Sequence, residues 1–196
     1  MEYRYHEQTE DSFFIEFTQD TFRTKIVLNF EPDEDFIGLA VCCNYNYNGH
    51  PIGYLKDNSQ VIQQIKGKNT FIFDIGDTGF QAGPTLVEDF KPRMDYREQG
   101  FSAGHILSGL QVHIGRKKFG NILIGMTKKL TYRQLVDKYV SYTIEDAIKL
   151  PGGKQAGAFY YKSDHKEVKE GTFPIVCALV IEPRLKETSN LNGKLI

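Results

Sequence analysis

Cysteine is scarce, long apolar runs are missing and neither sign of charge is in excess, and each shortage removes a class of protein. Three cysteines cannot all pair within one chain. Cys42 and Cys43 sit in the run Phe36-Ile-Gly-Leu-Ala-Val-Cys-Cys43, and Cys177 in Phe173-Pro-Ile-Val-Cys-Ala-Leu-Val180. Both contexts suit buried free thiols better than a covalent staple. With no Cys-x-x-Cys and no close His/Cys group, neither a metal nor any other cofactor is expected. No apolar stretch approaches the roughly 20 residues of a membrane-spanning helix, and Met1–Glu10 shows no basic segment leading into an apolar one. The expectation is a cytoplasmic protein with no membrane partner. Twenty-four Lys and Arg against 25 Asp and Glu leave a net charge of −1, so no global field recruits a polyanion and no nucleic-acid partner is expected.

Familiar catalytic signatures are absent as well. There is no G-x-S-x-G elbow, no G-x-x-x-x-G-K-[ST], no G-x-G-x-x-G and no H-E-x-x-H. The five histidines, His6, His50, His105, His113 and His165, are scattered, so spacing proposes no nucleophile and base pair. Asp33-Glu34-Asp35 reads as a solvated turn.

What is present is ordinary globular material: 196 residues, 40% hydrophobic and 25% charged, enough for one self-supporting domain. We read residues 1–182 as that domain and 183–196 as a loose polar tail. The 11 Tyr and 14 Phe leave aromatics to spare for an interface in a homo-oligomer. Ser12–Phe17, Lys25–Phe30, Phe36–Cys43, Gln60–Ile65, Thr70–Ile75, Gln111–Ile114 and Asn121–Met126 are aromatic or β-branched runs between turn residues, and they read as strands. At Thr131 the period becomes helical, with Leu135, Val136, Tyr139 and Val140 on one face and a capping box in Thr131-Tyr-Arg-Gln134. A second helical segment is predicted from Thr143 through Ala147, Ile148 and Leu150, ending at Pro151-Gly152-Gly153. Ala158–Tyr161 and Thr172–Glu182 read as two strands joined by a polar loop. The fold class expected is α+β, a mostly antiparallel sheet with a few helices.

Four segments combine glycine, amides and aromatics beyond what packing requires. Cys43-Asn-Tyr-Asn-Tyr-Asn-Gly-His-Pro-Ile-Gly53 ends a buried strand in alternating amides and rings, Gln81-Ala-Gly-Pro-Thr-Leu-Val87 makes a tight turn between apolar strands, Gln111-Val-His-Ile-Gly115 opens a hairpin, and Ala147-Ile-Lys-Leu-Pro-Gly-Gly-Lys-Gln-Ala-Gly157 carries a Gly-Gly turn followed by a cation. Amides at strand ends bind hydroxyls or phosphate, and they also initiate turns.

In order and spacing, these segments resemble the phosphodiester glycosidase family. There an apolar strand runs into Asn-Gly-Gly-Phe-Phe and Gly-x-Pro-x-Gly, to which Asn44–Tyr47 and Gly49–Gly53 are similar. Gln81–Val87 looks like its Gln-Ala-Gly-Pro-x-Leu-Val, and Gln111–Gly115 like its Arg-Thr-Ala-Ile-Gly. Ala147–Gln155 looks like its Ala-x-Asn-Leu-Asp-Gly-Gly-x-Ser. The resemblance runs from about Lys25 to Glu182, and it implies a cleft for sugars joined to phosphates. Two departures weigh against turnover. Gln111 stands where the family has an Arg that forks a phosphate, and Pro151 stands where it has the Asp of Asp-Gly-Gly, although glycoside cleavage uses carboxylates as acid, base or nucleophile.

The expectation is therefore a non-catalytic scaffold that sequesters a nucleotide or sugar-phosphate, such as a cyclic nucleotide or ADP-ribose type of immune signal captured by a viral protein. Tyr45 or Tyr47 would stack on a base or sugar. Asn44, Asn46, Gln81 and Gln111 would hold hydroxyls, and His113 or Gly152-Gly153-Lys154 would meet phosphate. The alternative is an active hydrolase whose acid and base have moved to Asp74, Asp77, Glu88, His105 or His113. A structural or protein-interaction domain on the same scaffold is the third class.

Overall fold

The computed structural model describes residues 1–64, 71–103, 109–152 and 158–184. Numbered along the chain, eighteen strands and one helix, α1, occur among the described residues. The largest sheet has seven strands in the order β1 (Tyr3–Gln8), β2 (Ser12–Phe17), β14 (Ile122–Lys128), β13 (Leu110–Arg116), β15 (Asp146–Lys149), β11 (Thr85–Glu88) and β12 (Lys91–Pro92). A five-stranded sheet follows the order β17 (Lys166–Glu170), β16 (Phe159–Ser163), β4 (Gly38–Cys42), β18 (Ile175–Pro183) and β3 (Phe22–Phe30). Four further strands pair as β8 (Gln60–Gln63), β7 (Leu55–Asp57), β10 (Thr78–Ala82) and β9 (Phe71–Ile75), and β5 (Asn46–Tyr47) pairs with β6 (His50–Pro51). Every one of these pairings is antiparallel.

The period-2 alternation of the strands decides what each face does. From the seven-stranded sheet, Phe13, Ile15, Val112, Ile114, Ile124 and Ile148 enter the main core, where they meet Leu39, Val41, Phe159, Leu179 and Ile181 of the five-stranded sheet. The intervening residues Phe14, Leu123 and Ala147 point the other way and are covered by Tyr132, Leu135, Val136 and Tyr139 of α1 (Tyr132–Ser141). The helix begins where the capping box places it. Thr131 Oγ1 accepts from the Gln134 N–H and Gln134 Oε1 accepts from the Thr131 N–H, satisfying two amides that a helix start leaves orphaned.

The second predicted helix is instead β15. Its four residues are buried on both faces, Ala147 against α1 and Ile148 in the core. Burial on both faces gives a strand a continuous apolar run, which periodicity cannot distinguish from a helix. The polar loop predicted between the last two strands contains β17, a hairpin partner of β16 from Phe159↔Glu170 to Ser163↔Lys166. The N-terminal β1, paired along β2, was not expected either. Pro183 closes β18 and the Arg184 N–H donates to Thr21 O, so the first two residues of the expected tail are anchored, while 185–196 lie outside the described residues. All three cysteines are buried and free, with Cys43 Sγ and Cys177 Sγ 3.6 Å apart. No described helix is long and apolar enough to cross a membrane.

Candidate binding site

The four singled-out segments meet at one end of the seven-stranded sheet. There β13 begins, β15 ends and β11 begins. The Cys43–Gly53 segment reaches this end through Tyr54. Asn44 Nδ2 donates to Tyr54 O (3.3 Å), the Tyr54 N–H donates to Gln81 Oε1 (2.8 Å), and the Gln81 N–H donates to Tyr54 O (2.9 Å). Gly53 is required here. Its φ is +101°, and a Cβ would lie 2.6 Å from Gln81 Oε1. Tyr45 then donates its hydroxyl to Gly83 O (2.9 Å) and packs against Phe101, and burial pushes its phenol well above the usual range. One residue on, Pro84 O accepts the Lys149 N–H (2.9 Å), and the Leu150 N–H donates to Val112 O (2.8 Å), tying β11, β15 and β13 together.

Register places the key side chains. His113 pairs with Lys149 and Ile114 with Ile148. The same register, continued through the Leu150 to Val112 bond, sets Pro151 opposite Gln111. The two positions at which the sequence differs from the glycosidase pattern thus fall opposite one another across two strands, one an amide and the other a proline.

Gln111, His113 and Lys149 all lie on the face that α1 covers. Gln111 donates from Nε2 to Leu130 O (2.7 Å), and its buried Oε1 has no partner among the described residues. Asn44 Oδ1 is in the same condition. His113 Nδ1 lies 2.7 Å from Tyr139 Oη, and Nε2 lies 3.2 Å from Thr127 Oγ1. Gly125, its partner on β14, gives the ring room, because a Cβ there would lie 2.2 Å from His113 Cε1. Burial first, and then the nearby Lys149 and Lys138 charges, hold this imidazole well below its usual pKa, so it is neutral at pH 7. A neutral histidine whose two nitrogens both meet hydroxyls is a structural element rather than a phosphate ligand.

The expected site residues therefore fall into two groups joined at Gly83-Pro84: Asn44, Tyr45 and Gln81 on one side, Gln111 and His113 on the other. Gly152 follows Pro151 at the same end, half-buried. Gly153, Lys154 and the side chains of Asn46 and Tyr47 lie outside the described residues, as does His105.

The residue that sequence reasoning missed is Lys149. It is 1% exposed, and among the described residues its Nζ has one long contact, 3.4 Å to Leu150 O. Burial pushes its amine down to about 8. The signal was present in Ala147-Ile-Lys-Leu-Pro151, where Lys149 occupies the Asn position of the glycosidase pattern, but a lone lysine in an apolar run gives no hint of complete burial.

Cavities adjoin the sheet near β11 and near the far end of β13. One of about 400 Å³ opens beside Thr85 and is walled by Glu88, Arg93, Asp95, Glu98 and Gln99. It abuts the meeting point through Thr85, whose N–H donates to Gln99 Oε1 (2.7 Å). The other, of about 390 Å³, lies at the opposite end of β13, around Arg116, Asp74 and Asp77. Of the candidate relocated acids, Glu88 lines the first cavity and Asp74 and Asp77 line the second. Glu88 pairs with Arg93, Asp74 pairs with Lys56 (2.5 Å), and Asp77 accepts from Ser59 Oγ (2.7 Å).

Known structures share this architecture. The catalytic domain of zebrafish N-acetylglucosamine-1-phosphodiester alpha-N-acetylglucosaminidase, auto-inhibited by its pro-peptide, superposes with a TM-score of 0.65 at 12% identity over 93% of this chain and 83% of that one. A hypothetical protein from Synechocystis gives 0.60 at 8% identity, over 93% of this chain and 61% of its own. No family model and no curated protein matches the sequence. At these identities the likeness is one of fold, and it supports the α+β, phosphodiester-glycosidase-like class.

Proposed function

We propose that this protein binds a nucleotide or sugar-phosphate at the strand ends around Gly83-Pro84 and holds it without cleaving it. What supports the reading most is the register of β13 and β15, which, extended one step past the Leu150 to Val112 bond, sets Pro151 opposite Gln111. A glycoside-cleaving site needs a carboxylate beside its substrate, and the position where the pattern supplies one carries a proline directly across from an amide that has replaced the arginine. The buried oxygens Asn44 Oδ1 and Gln111 Oε1 add support, since acceptors without donors are costly unless a ligand supplies hydroxyl or amine protons. The zebrafish relative is named for action on an N-acetylglucosamine phosphodiester, and a ligand of that general chemistry suits the acceptors here. Sequestration of a soluble signal, such as an ADP-ribose derivative or a cyclic nucleotide in an immune pathway, is the role such a protein would serve.

The test is incubation with UDP-N-acetylglucosamine, ADP-ribose and cyclic dinucleotides, followed by gel filtration, denaturation and mass spectrometry of what is released. Recovery of an intact compound is the expected result. Cleaved product, or no retained compound from the panel, would overturn the reading.

A further inference from the structure

We propose that Lys149 is the anchor for the ligand's phosphoryl group, taking over from another strand the charge that position 111 lacks; this rests on the binding reading above. Three carboxylate or lysine side chains are essentially buried among the described residues, and the comparison between them is decisive. Glu16 is met by Arg4, His6, Lys117 and Asn121, and Asp146 by Arg116. Among the described residues Lys149 meets no carboxylate, and its one acceptor there is a backbone oxygen at 3.4 Å. An ammonium in that setting has lost its hydration without compensation, which a protein tolerates at a site completed by something else.

Placement says what completes it. Lys149 shares a sheet face with Gln111, two residues along β13 from its cross-strand partner His113, and it ends the strand that leads into Pro151-Gly152. The titratable groups around that face are His113 on β13, which is neutral, Tyr139 and Lys138 on α1, and the carboxylates Glu7 and Glu16; Glu7 is met by Lys138 and Glu16 by Arg4, His6 and Lys117, and no carboxylate meets Lys149 among the described residues. The ammonium wants an oxyanion while Gln111 Oε1 wants a hydrogen-bond donor. A phosphorylated polyhydroxyl compound supplies both from separate groups, where a free sugar supplies no anion and inorganic phosphate offers its oxyanion and its lone hydroxyl on a single phosphorus. Lysine acts here as a point charge, a role that does not require the planar fork of an arginine.

Calorimetric titration with inorganic phosphate, ribose 5-phosphate, ribose and UDP-N-acetylglucosamine tests this in the wild type, Lys149→Met and Lys149→Gln. The wild type should bind the phosphorylated sugars more tightly than either ribose or phosphate. Each variant should bind the phosphorylated sugars about tenfold or more weakly, the loss of one charged hydrogen bond. Thermal melting separates this role from a structural one: Lys149→Met should melt at the same temperature or higher, because an apolar chain of similar length replaces an unpaired amine. Unchanged affinity in both variants, with the wild type binding, would overturn the assignment and leave the binding reading standing. Binding of no phosphorylated probe by the wild type would overturn both. Cleavage of a probe with Lys149-dependent affinity would overturn the reading of binding without turnover and support the anchor.

Discussion

The two faces of the seven-stranded sheet are made by the same strands and differ in kind. On β13, Val112 and Ile114 enter a core of aliphatic and aromatic side chains, while Gln111 and His113, one residue out of phase, lie beneath α1 with Lys149 and Thr127. Both faces are dry. The core face gains by removing apolar area from water. The helix face has to satisfy each polar atom it buries, and where β13 begins and β15 ends it does so incompletely among the described residues: Gln111 Oε1 has no partner and the Lys149 amine has one long bond. Apolar packing and incompletely paired polar groups thereby alternate along single strands.

The sharpest way to break the contrast is at adjacent positions. Ile114→Ala removes a fully buried side chain from the core face and should cost about 2–5 kcal/mol, read as a lower urea midpoint with unchanged slope. A loss under about 1 kcal/mol would mean that this face is not the main source of stability.

A second prediction follows from Lys149 by pH. Its amine is held at about 8 in the folded chain against 10.5 in the unfolded one, so between these values the unfolded state carries the extra proton and folding gains as pH rises. Cys42, pushed up to about 12, and the likewise raised Cys43 act in the opposite sense above pH 9, so the wild type alone does not isolate the lysine. The difference between wild type and Lys149→Met does, since the thiols are common to both. The stability advantage of Lys149→Met should shrink by about 1.4 kcal/mol per pH unit above pH 8, reaching about 3 kcal/mol by pH 10.5. Urea unfolding at pH 7, 8, 9 and 10 reads it, and a constant difference would show that the amine is not depressed.

Much of the fold was legible because it is written locally. The capping box at Thr131 depends on four consecutive residues, and most of the strands follow from alternation or from short β-branched runs between turns. β15 was not legible, because Asp146-Ala-Ile-Lys149 takes its conformation from β11 and β13 on either side, and so was read as helix. β17, with Lys166-Glu-Val-Lys-Glu170, has too little apolar character to announce an edge strand. At the site, the identities of Gln111 and Pro151 were visible but their adjacency was not, because it is a matter of register between strands separated by a hairpin and a helix. Lys149 was hidden for the same reason: β15 is buried between β11 and β13, strands that end 30 residues or more before it in sequence.

The smallest effect tests whether His113 belongs to the satisfied part of the helix face or to its unsatisfied end. Tyr139→Phe keeps the ring that packs over Gly115 and deletes the hydroxyl 2.7 Å from His113 Nδ1. One buried nitrogen then loses its partner, at a cost of about 1–3 kcal/mol by urea unfolding at pH 7. The pH sign is fixed by the neutral histidine. Its folded pKa lies below the unfolded 6.5, so below pH 6.5 the unfolded chain takes up a proton that the folded chain refuses, and this group's contribution to stability falls as the pH falls. His113→Gln should flatten that part of the acid limb, whereas Tyr139→Phe should lower the whole curve and keep its slope between pH 6.5 and 5.5. If Tyr139→Phe instead weakened binding of phosphorylated sugars as strongly as Lys149→Met, His113 would have to be counted with the ligand site, and the boundary between the satisfied and unsatisfied parts of this face would move one residue pair inward along β13 and β15.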